Sequence, residues 1–118
     1  MKLIKLARGK GKTKRLINKA HNNSIYIVCP NRQRAYYIFE MSQKMGKNIL
    51  FPISLDEIIM YRMTGNNVKK YLIDDIDDIA TTLIYRYLLR PIYECGEVLE
   101  VTASVTDLAK LIGAENDL

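Results

Sequence analysis

The sequence has few cysteines and no long apolar run, and these absences exclude several classes of protein. Cys29 and Cys95 stand far apart, without the close spacing of a zinc site or the number needed for a disulfide framework. No apolar stretch approaches the roughly 20 residues of a membrane-spanning helix. Lys2 and Lys5 interrupt the apolar residues after Met1, so we expect no secretory signal. These features predict a reduced, cytoplasmic protein.

Acidic residues are absent from the first third of the chain. Of the 18 lysines and arginines, ten lie in residues 1–39, and the other eight share residues 40–118 with all 13 acids. The formal net charge of +5 therefore combines a basic first third with an acidic remainder. Such a division suits a protein that binds phosphate at one edge with a divalent cation beside it. The alternative is that many of the lysines form an ordinary solvated surface.

Short apolar segments alternate with amphipathic helical segments over the 118 residues, which are enough for one domain, 1–118, with a hydrophobic core. Strands are predicted at 2–7, 24–30, 48–53, 71–73 and 98–105. Helices are predicted after residue 11, from 32 to 45, from 54 to 63, from 77 to 89 and from 107 to 112, with a frayed tail. This alternation predicts a three-layer α/β sandwich with about five mostly parallel strands.

Several local patterns fix details of these elements. The continuous apolar run 24–30 is typical of a strand that is buried on both faces. Asn31 is a predicted helix cap, and Ser54 with Glu57 forms a predicted capping box. The second helix should bury Ala35, Ile38, Phe39 and Ser42 or Met45. The fourth should turn Ile79, Leu83, Tyr87 and Leu88 inward and end at Arg90-Pro91.

A glycine-bearing loop connects the first predicted strand to the first helix: Arg8-Gly9-Lys10-Gly11-Lys12-Thr13. Glycine adopts positive φ without steric cost, so Gly9 and Gly11 would let backbone N–H groups turn inward around a phosphate. Lys12 would reach the β- and γ-phosphates, and the Thr13 hydroxyl would bind Mg²⁺. The full phosphate-loop motif has a further glycine where Leu6 stands. The alternative is a basic turn that only reverses the chain.

Acids follow the fourth predicted strand, in the stretch Tyr71-Leu72-Ile73-Asp74-Asp75-Ile76-Asp77-Asp78. An apolar strand that ends in acids downstream of a phosphate loop is the Walker B arrangement. Asp74 would bind Mg²⁺, mostly through water, and Asp75 would orient or deprotonate an attacking water. Asp77 and Asp78 would begin the next helix. The alternatives are an acid-capped helix start and a Ca²⁺ loop, which lacks its glycine and bidentate glutamate here.

Four short motifs occur in order along almost the whole chain. Residues 8–13 have the form R-G-x-G-K-[ST], and the strand 27–30 follows the first helix. Residues 72–77 end in the form D-E-x-D, with Asp75 in place of glutamate, and Thr102-Ala103-Ser104 has the form T-A-S. Together they resemble the first RecA-type domain of P-loop NTPases, particularly superfamily 1/2 helicases and phage terminase motor subunits.

The resemblance implies an Mg²⁺-dependent site for a nucleoside triphosphate, ATP or GTP, at the C-terminal ends of the parallel strands. Lys12 and Asp75 would be the catalytic residues, and Thr13 and Asp74 the metal ligands. The nucleotide would contact Arg8, Gly9, Lys10, Gly11, Lys12, Thr13, Lys14 and, as a γ-phosphate sensor, Ser104. Because Asp75 is shorter than glutamate, we expect weak hydrolysis, or hydrolysis that depends on a second subunit to supply an arginine finger.

Two other functions stay open at this stage. The basic residues 1–39 could hold the phosphates of DNA or RNA, as in a reduced helicase-like binding module. The fold could also be a scaffold for a protein partner, since fold does not determine function. A bacteriophage or mobile-element context fits the resemblance in either case.

Overall fold

A computed structural model of the protein describes residues 1–6, 9–61, 70–100 and 115–116. Its strands are β1 (Lys2–Leu3), β2 (Ile25–Cys29), β3 (Ile53–Ser54), β4 (Lys70–Ile73) and β5 (Glu115–Asn116). Its helices are α1 (Lys12–Ala20), α2 (Arg32–Lys44), α3 (Leu55–Tyr61), α4 (Ile76–Ile84) and α5 (Arg90–Tyr93), and a π-helical segment (Tyr85–Leu89) joins the last two. None of these helices has the length and apolar composition needed to cross a membrane.

The central sheet has three parallel strands in the order β3–β2–β4. Val28 of β2 pairs with Ile53 on one side and with Ile73 on the other. β1 and β5 form a separate parallel pair, in which Lys2 pairs with Glu115. The α/β class is therefore confirmed. The prediction of one five-stranded sheet is wrong for the described residues. β1 pairs with β5 in a sheet of its own, so the central sheet has three strands.

Strand boundaries differ from the sequence prediction at several points. The first strand ends at Leu3 rather than at residue 7. β3 begins at Ile53 rather than at residue 48, because Pro52 has no N–H to contribute to a ladder. Residues 98–100 are not in a strand, while 101–105 and the predicted helix 107–112 lie outside the described residues. The predicted frayed tail contains β5.

β2 is buried on both faces, as its continuous apolar sequence predicts. On one face, the side chains of Ile27 and Cys29 belong to the main core, whose buried members come from α1, β2, α2 and the segment before β3: Ile17, Ala20, Ile27, Cys29, Ala35, Ile38 and Ile49. On the other face, Val28 packs with Leu55 and Ile79. The central position of β2 explains this double burial, because parallel strands bordered by helices have no solvated face.

Helix α2 confirms both its predicted cap and its predicted inner face. The Arg34 N–H donates to Asn31 Oδ1 at 2.8 Å, which caps the helix. Ala35, Ile38 and Ser42 are buried, and Phe39 and Met45 are partly buried against the main core. The serine half of the capping box before α3 is also confirmed, since the Glu57 N–H donates to Ser54 Oγ at 3.4 Å. The Glu57 carboxylate accepts from the Ser54 hydroxyl at 3.3 Å.

The fourth predicted helix differs from the structure in its buried face and in its end. Of the four side chains predicted to point inward, only Ile79 is buried, whereas Leu83, Tyr87 and Leu88 are exposed. The helix also continues past Pro91 to Tyr93. Pro91 lacks an N–H, and its ring clashes with the carbonyl four residues earlier. The chain widens there into the π-helical segment, where the Arg90 N–H donates to the Tyr85 carbonyl, instead of ending.

The two cysteines should differ sharply in reactivity. Burial raises the pKa of the Cys29 thiol to about 11, and the Asn31 and Ile53 carbonyls lie within hydrogen-bonding distance of its sulfur, at 3.3 and 3.5 Å. Cys95 is exposed. Because the thiolate is the reactive form, we predict that a disulfide reagent such as DTNB labels native protein rapidly at Cys95 alone. In the Cys95→Ser variant, labelling should require unfolding in guanidinium; rapid labelling of the folded variant would contradict the burial of Cys29.

Candidate functional site

The glycine loop lies between β1 and α1. Gly9 and Gly11 have φ angles of 77° and 80°, in the left-handed region that glycine adopts without strain. Gly11 is the N-cap of α1 and provides no side-chain cap, and the first turn of α1 contains no acid. The first N–H groups of α1 therefore have no capping side chain from Gly11, an arrangement suited to an anion.

Thr13 and Asp74 meet at the C-terminal ends of the central strands, although 61 positions separate them in the sequence. Asp74 directly follows β4, and its N–H donates to the Val28 carbonyl at 2.8 Å, which holds it beside β2. The Thr13 hydroxyl, in the first turn of α1, donates to Asp74 Oδ1 at 3.2 Å. The Asp74 side chain is only 2% exposed. The two residues expected to bind the metal are therefore neighbours.

Arg34 belongs to the same cluster, although no motif in the sequence singles it out. Its Nη1 lies 3.4 Å from Asp74 Oδ2 and 3.9 Å from Asp75 Oδ2, and its Nη2 donates to Asp78 Oδ2 at 3.2 Å. The strand order explains these contacts, because α2 begins at the end of β2 and the acids follow the adjacent β4. One signal was available, although it does not separate Arg34 from Arg32: a cation in the first turn of a helix opposes the helix dipole unless an acid lies nearby.

Asp75 has a backbone conformation that is uncommon for a residue with a side chain. It is the N-cap of α4, with φ 57° and ψ 68°. Burial, a hydrogen bond with Asp78 and the Asp78 charge raise the pKa of the Asp75 carboxyl. The Lys12 charge lowers that pKa, and Arg34 at 3.9 Å does not offset the rise. Lys12 of the loop is therefore close enough to the acids after β4 to influence their charge state.

The oxygens of Thr13 and Asp74 fit the coordination chemistry of Mg²⁺. In the described part of the chain, no group of three or more His, Cys, Asp or Glu side chains is arranged to hold a metal. Thr13 Oγ1 and Asp74 Oδ1 are both hard oxygen donors, 3.2 Å apart. That separation is close to the ~3.0 Å between neighbouring corners of an octahedron with 2.1 Å bonds. Water and phosphate oxygens would supply the other ligands.

The other predicted site residues contribute less to this cluster. Lys10 and Lys14 are exposed on either side of the loop's end. Arg8 and Ser104 lie outside the described residues, so their predicted contacts with nucleotide stay predictions. The structure brings Thr13 and Asp74 into contact and places Lys12 within the electrostatic reach of Asp75.

Comparisons with known proteins add no relative to this picture. No family model, curated protein or solved structure matches the chain significantly. The geometry of the cluster is therefore the basis for a functional assignment.

The raised pKa of Asp75 predicts that the ionised carboxylate destabilises the folded protein. Between the ordinary value of 3.8 and the higher folded value, the folded state binds more protons than the unfolded state. The free energy of unfolding should therefore fall as pH rises through this window. We predict that Asp75→Asn, which tolerates the left-handed backbone, raises the melting temperature at pH 7 and raises it less below pH 3.8.

The matched control is Asp77→Asn, in the same helical turn but exposed. It removes the same charge from the helix N-terminus and should slightly lower the melting temperature at neutral pH. A lower melting temperature for Asp75→Asn at pH 7 would contradict the raised pKa of Asp75.

Proposed function

We propose that the protein binds a nucleoside triphosphate, ATP by default over GTP, together with Mg²⁺. The observation that carries this proposal is the contact of Thr13 with the buried Asp74 at the end of the central sheet. This contact joins the loop that contains two glycines of positive φ to the end of the parallel strand β4, which acids follow. In α/β proteins this strand end is the usual place for ligands.

The roles of the residues follow from their chemistry and position. The backbone from Gly9 to Thr13 and the N-terminus of α1 would hold the phosphates, with Lys12 neutralising their charge. Thr13 and Asp74 would hold the Mg²⁺, which when bound neutralises charge on the β- and γ-phosphates. The basic side chains of Arg8, Lys10 and Lys14 and the hydroxyl of Ser104 complete the proposed set of nucleotide contacts.

Hydrolysis is proposed to be weak or dependent on a partner. Asp75 is one methylene shorter than the glutamate found at this position in the resembling families. A shorter side chain holds its carboxyl farther from the γ-phosphate than glutamate would, so it aligns an attacking water less well. A second subunit that supplies an arginine finger would complete the site, as the resemblance to RecA-type motors implies.

Nucleic-acid binding is a second candidate, supported by the exposure of several basic side chains on α1: Lys14, Arg15 and Lys19. Contacts of this kind release counterions, so the affinity for an oligonucleotide would fall steeply with salt. Binding that is insensitive to salt would not fit this candidate. The two functions are compatible, because the exposed Arg15 and Lys19 are not among the residues proposed to contact the nucleotide.

Titration calorimetry with ATP, GTP and a slowly hydrolysed analogue, with and without Mg²⁺, tests the nucleotide proposal. We predict Mg²⁺-dependent binding by the wild-type protein. Lys12→Ala should weaken it by about ten- to a hundredfold, since a charged hydrogen bond to phosphate contributes about 1.5–3 kcal/mol. Lys19→Ala, which removes an exposed lysine from the last turn of the same helix, should bind as tightly as wild type.

The failure of this proposal has a clear form. If no nucleotide binds, or if Lys12→Ala binds as tightly as wild type, the loop is not a phosphate site. The basic surface and protein partners would then be the remaining candidates.

A further inference from the structure

Both carboxylate oxygens of Asp74 already have partners in the structure. Oδ1 accepts a hydrogen bond from the Thr13 hydroxyl at 3.2 Å, and Oδ2 lies 3.4 Å from Nη1 of Arg34. The side chain is nearly fully buried, so water does not replace either partner readily. An Mg²⁺ ion bound between Thr13 Oγ1 and Asp74 Oδ1 would therefore share the carboxylate with the Arg34 guanidinium, whose positive charge opposes a second cation on the same group.

Arg34 can break its contact with Asp74 and still remain bound to the cluster. Its two terminal nitrogens face different acids, because Nη1 lies near Asp74 and Asp75 while Nη2 donates to Asp78 at 3.2 Å. The Arg34 side chain is 32% exposed, and Asp78 is 38% exposed. The guanidinium can thus keep its outer partner and turn away from the buried one, a geometry that a single ammonium group does not offer.

The charges around Asp74 indicate when Mg²⁺ can favourably replace Arg34 as its partner. Three carboxylates (Asp74, Asp75 and Asp78) face two cations, Arg34 and Lys12. Free Mg²⁺ would bring a divalent charge beside both cations with no added anion. A triphosphate would bring anionic oxygens with which Arg34 and Lys12 could pair.

We propose that Arg34 is the resident counter-cation of Asp74, which competes with free Mg²⁺ and so makes metal binding depend on the triphosphate. This inference rests on the proposed function, because it specifies how the same site selects Mg²⁺-nucleotide over Mg²⁺ alone. Arg34 acts through Asp74, so it is a positioning residue.

The experiment measures Mg²⁺ binding without nucleotide, by calorimetry and by the shift in melting temperature. Arg34→Gln removes the charge and keeps hydrogen-bonding groups. It should bind Mg²⁺ about tenfold or more tightly than wild type, since a competing cation is gone from a nearly buried carboxylate. Arg34→Lys keeps a charge without the two-pronged geometry and should fall between the two.

Arg32→Gln is the matched control, because Arg32 is an exposed arginine in the same first turn of α2. It should bind free Mg²⁺ as wild type does, which excludes a general effect of net charge. If Arg34→Gln does not fold, Arg34→Lys carries the test. Mg²⁺ affinity of the folded Arg34 variants that is equal to or weaker than that of wild type would overturn the inference.

A parallel titration with Mg²⁺ and ATP separates this inference from the proposed function. If wild type binds Mg²⁺-ATP but the Arg34 variants gain no affinity for free Mg²⁺, the function stands and the role of Arg34 is wrong. If the variants gain Mg²⁺ affinity but no protein binds ATP, Arg34 does compete for the acids and the nucleotide proposal is wrong.

Discussion

The buried carboxylate of Asp74 is the constraint on which the rest of this structure depends. A carboxylate removed from water is costly unless hydrogen bonds and a counter-charge compensate it. The carboxylate has partners from two helices, the Thr13 hydroxyl of α1 and the guanidinium of Arg34 in α2, and the backbone N–H of Asp74 donates to the Val28 carbonyl of β2. Asp74 therefore fixes the relative positions of α1, α2 and β4 at one edge of the sheet.

The same contacts join the two oppositely charged parts of the sequence. Residues 1–39 contain no acid, and Thr13, Lys12 and Arg34 from this part surround carboxylates that lie after β4. Four of the 13 acids thus lie next to the proposed metal position, and the basic loop lies where phosphate is proposed. This arrangement matches the Mg²⁺-triphosphate chemistry better than a uniformly basic surface would.

The features that the sequence predicts well are those set by neighbouring residues. The Asn31 cap, the inner face of α2, the double burial of β2 and the acid at the end of β4 all depend on local patterns. The pairing of Arg34 with Asp74 depends instead on β2 and β4 being adjacent, which no local pattern contains. The outward direction of Leu83, Tyr87 and Leu88 likewise depends on what the fold places against their helix, and helical periodicity gives only the spacing.

The most direct test of the proposed metal–nucleotide site is to locate the metal in solution. Mn²⁺ replaces Mg²⁺ on oxygen ligands and broadens the amide signals of nearby residues in nuclear magnetic resonance spectra. With Mn²⁺ and a slowly hydrolysed ATP analogue, signals of residues 11–14 and 73–75 should broaden first, and excess Mg²⁺ should restore them. Broadening centred elsewhere, or none in the presence of nucleotide, would contradict a site formed by Thr13 and Asp74.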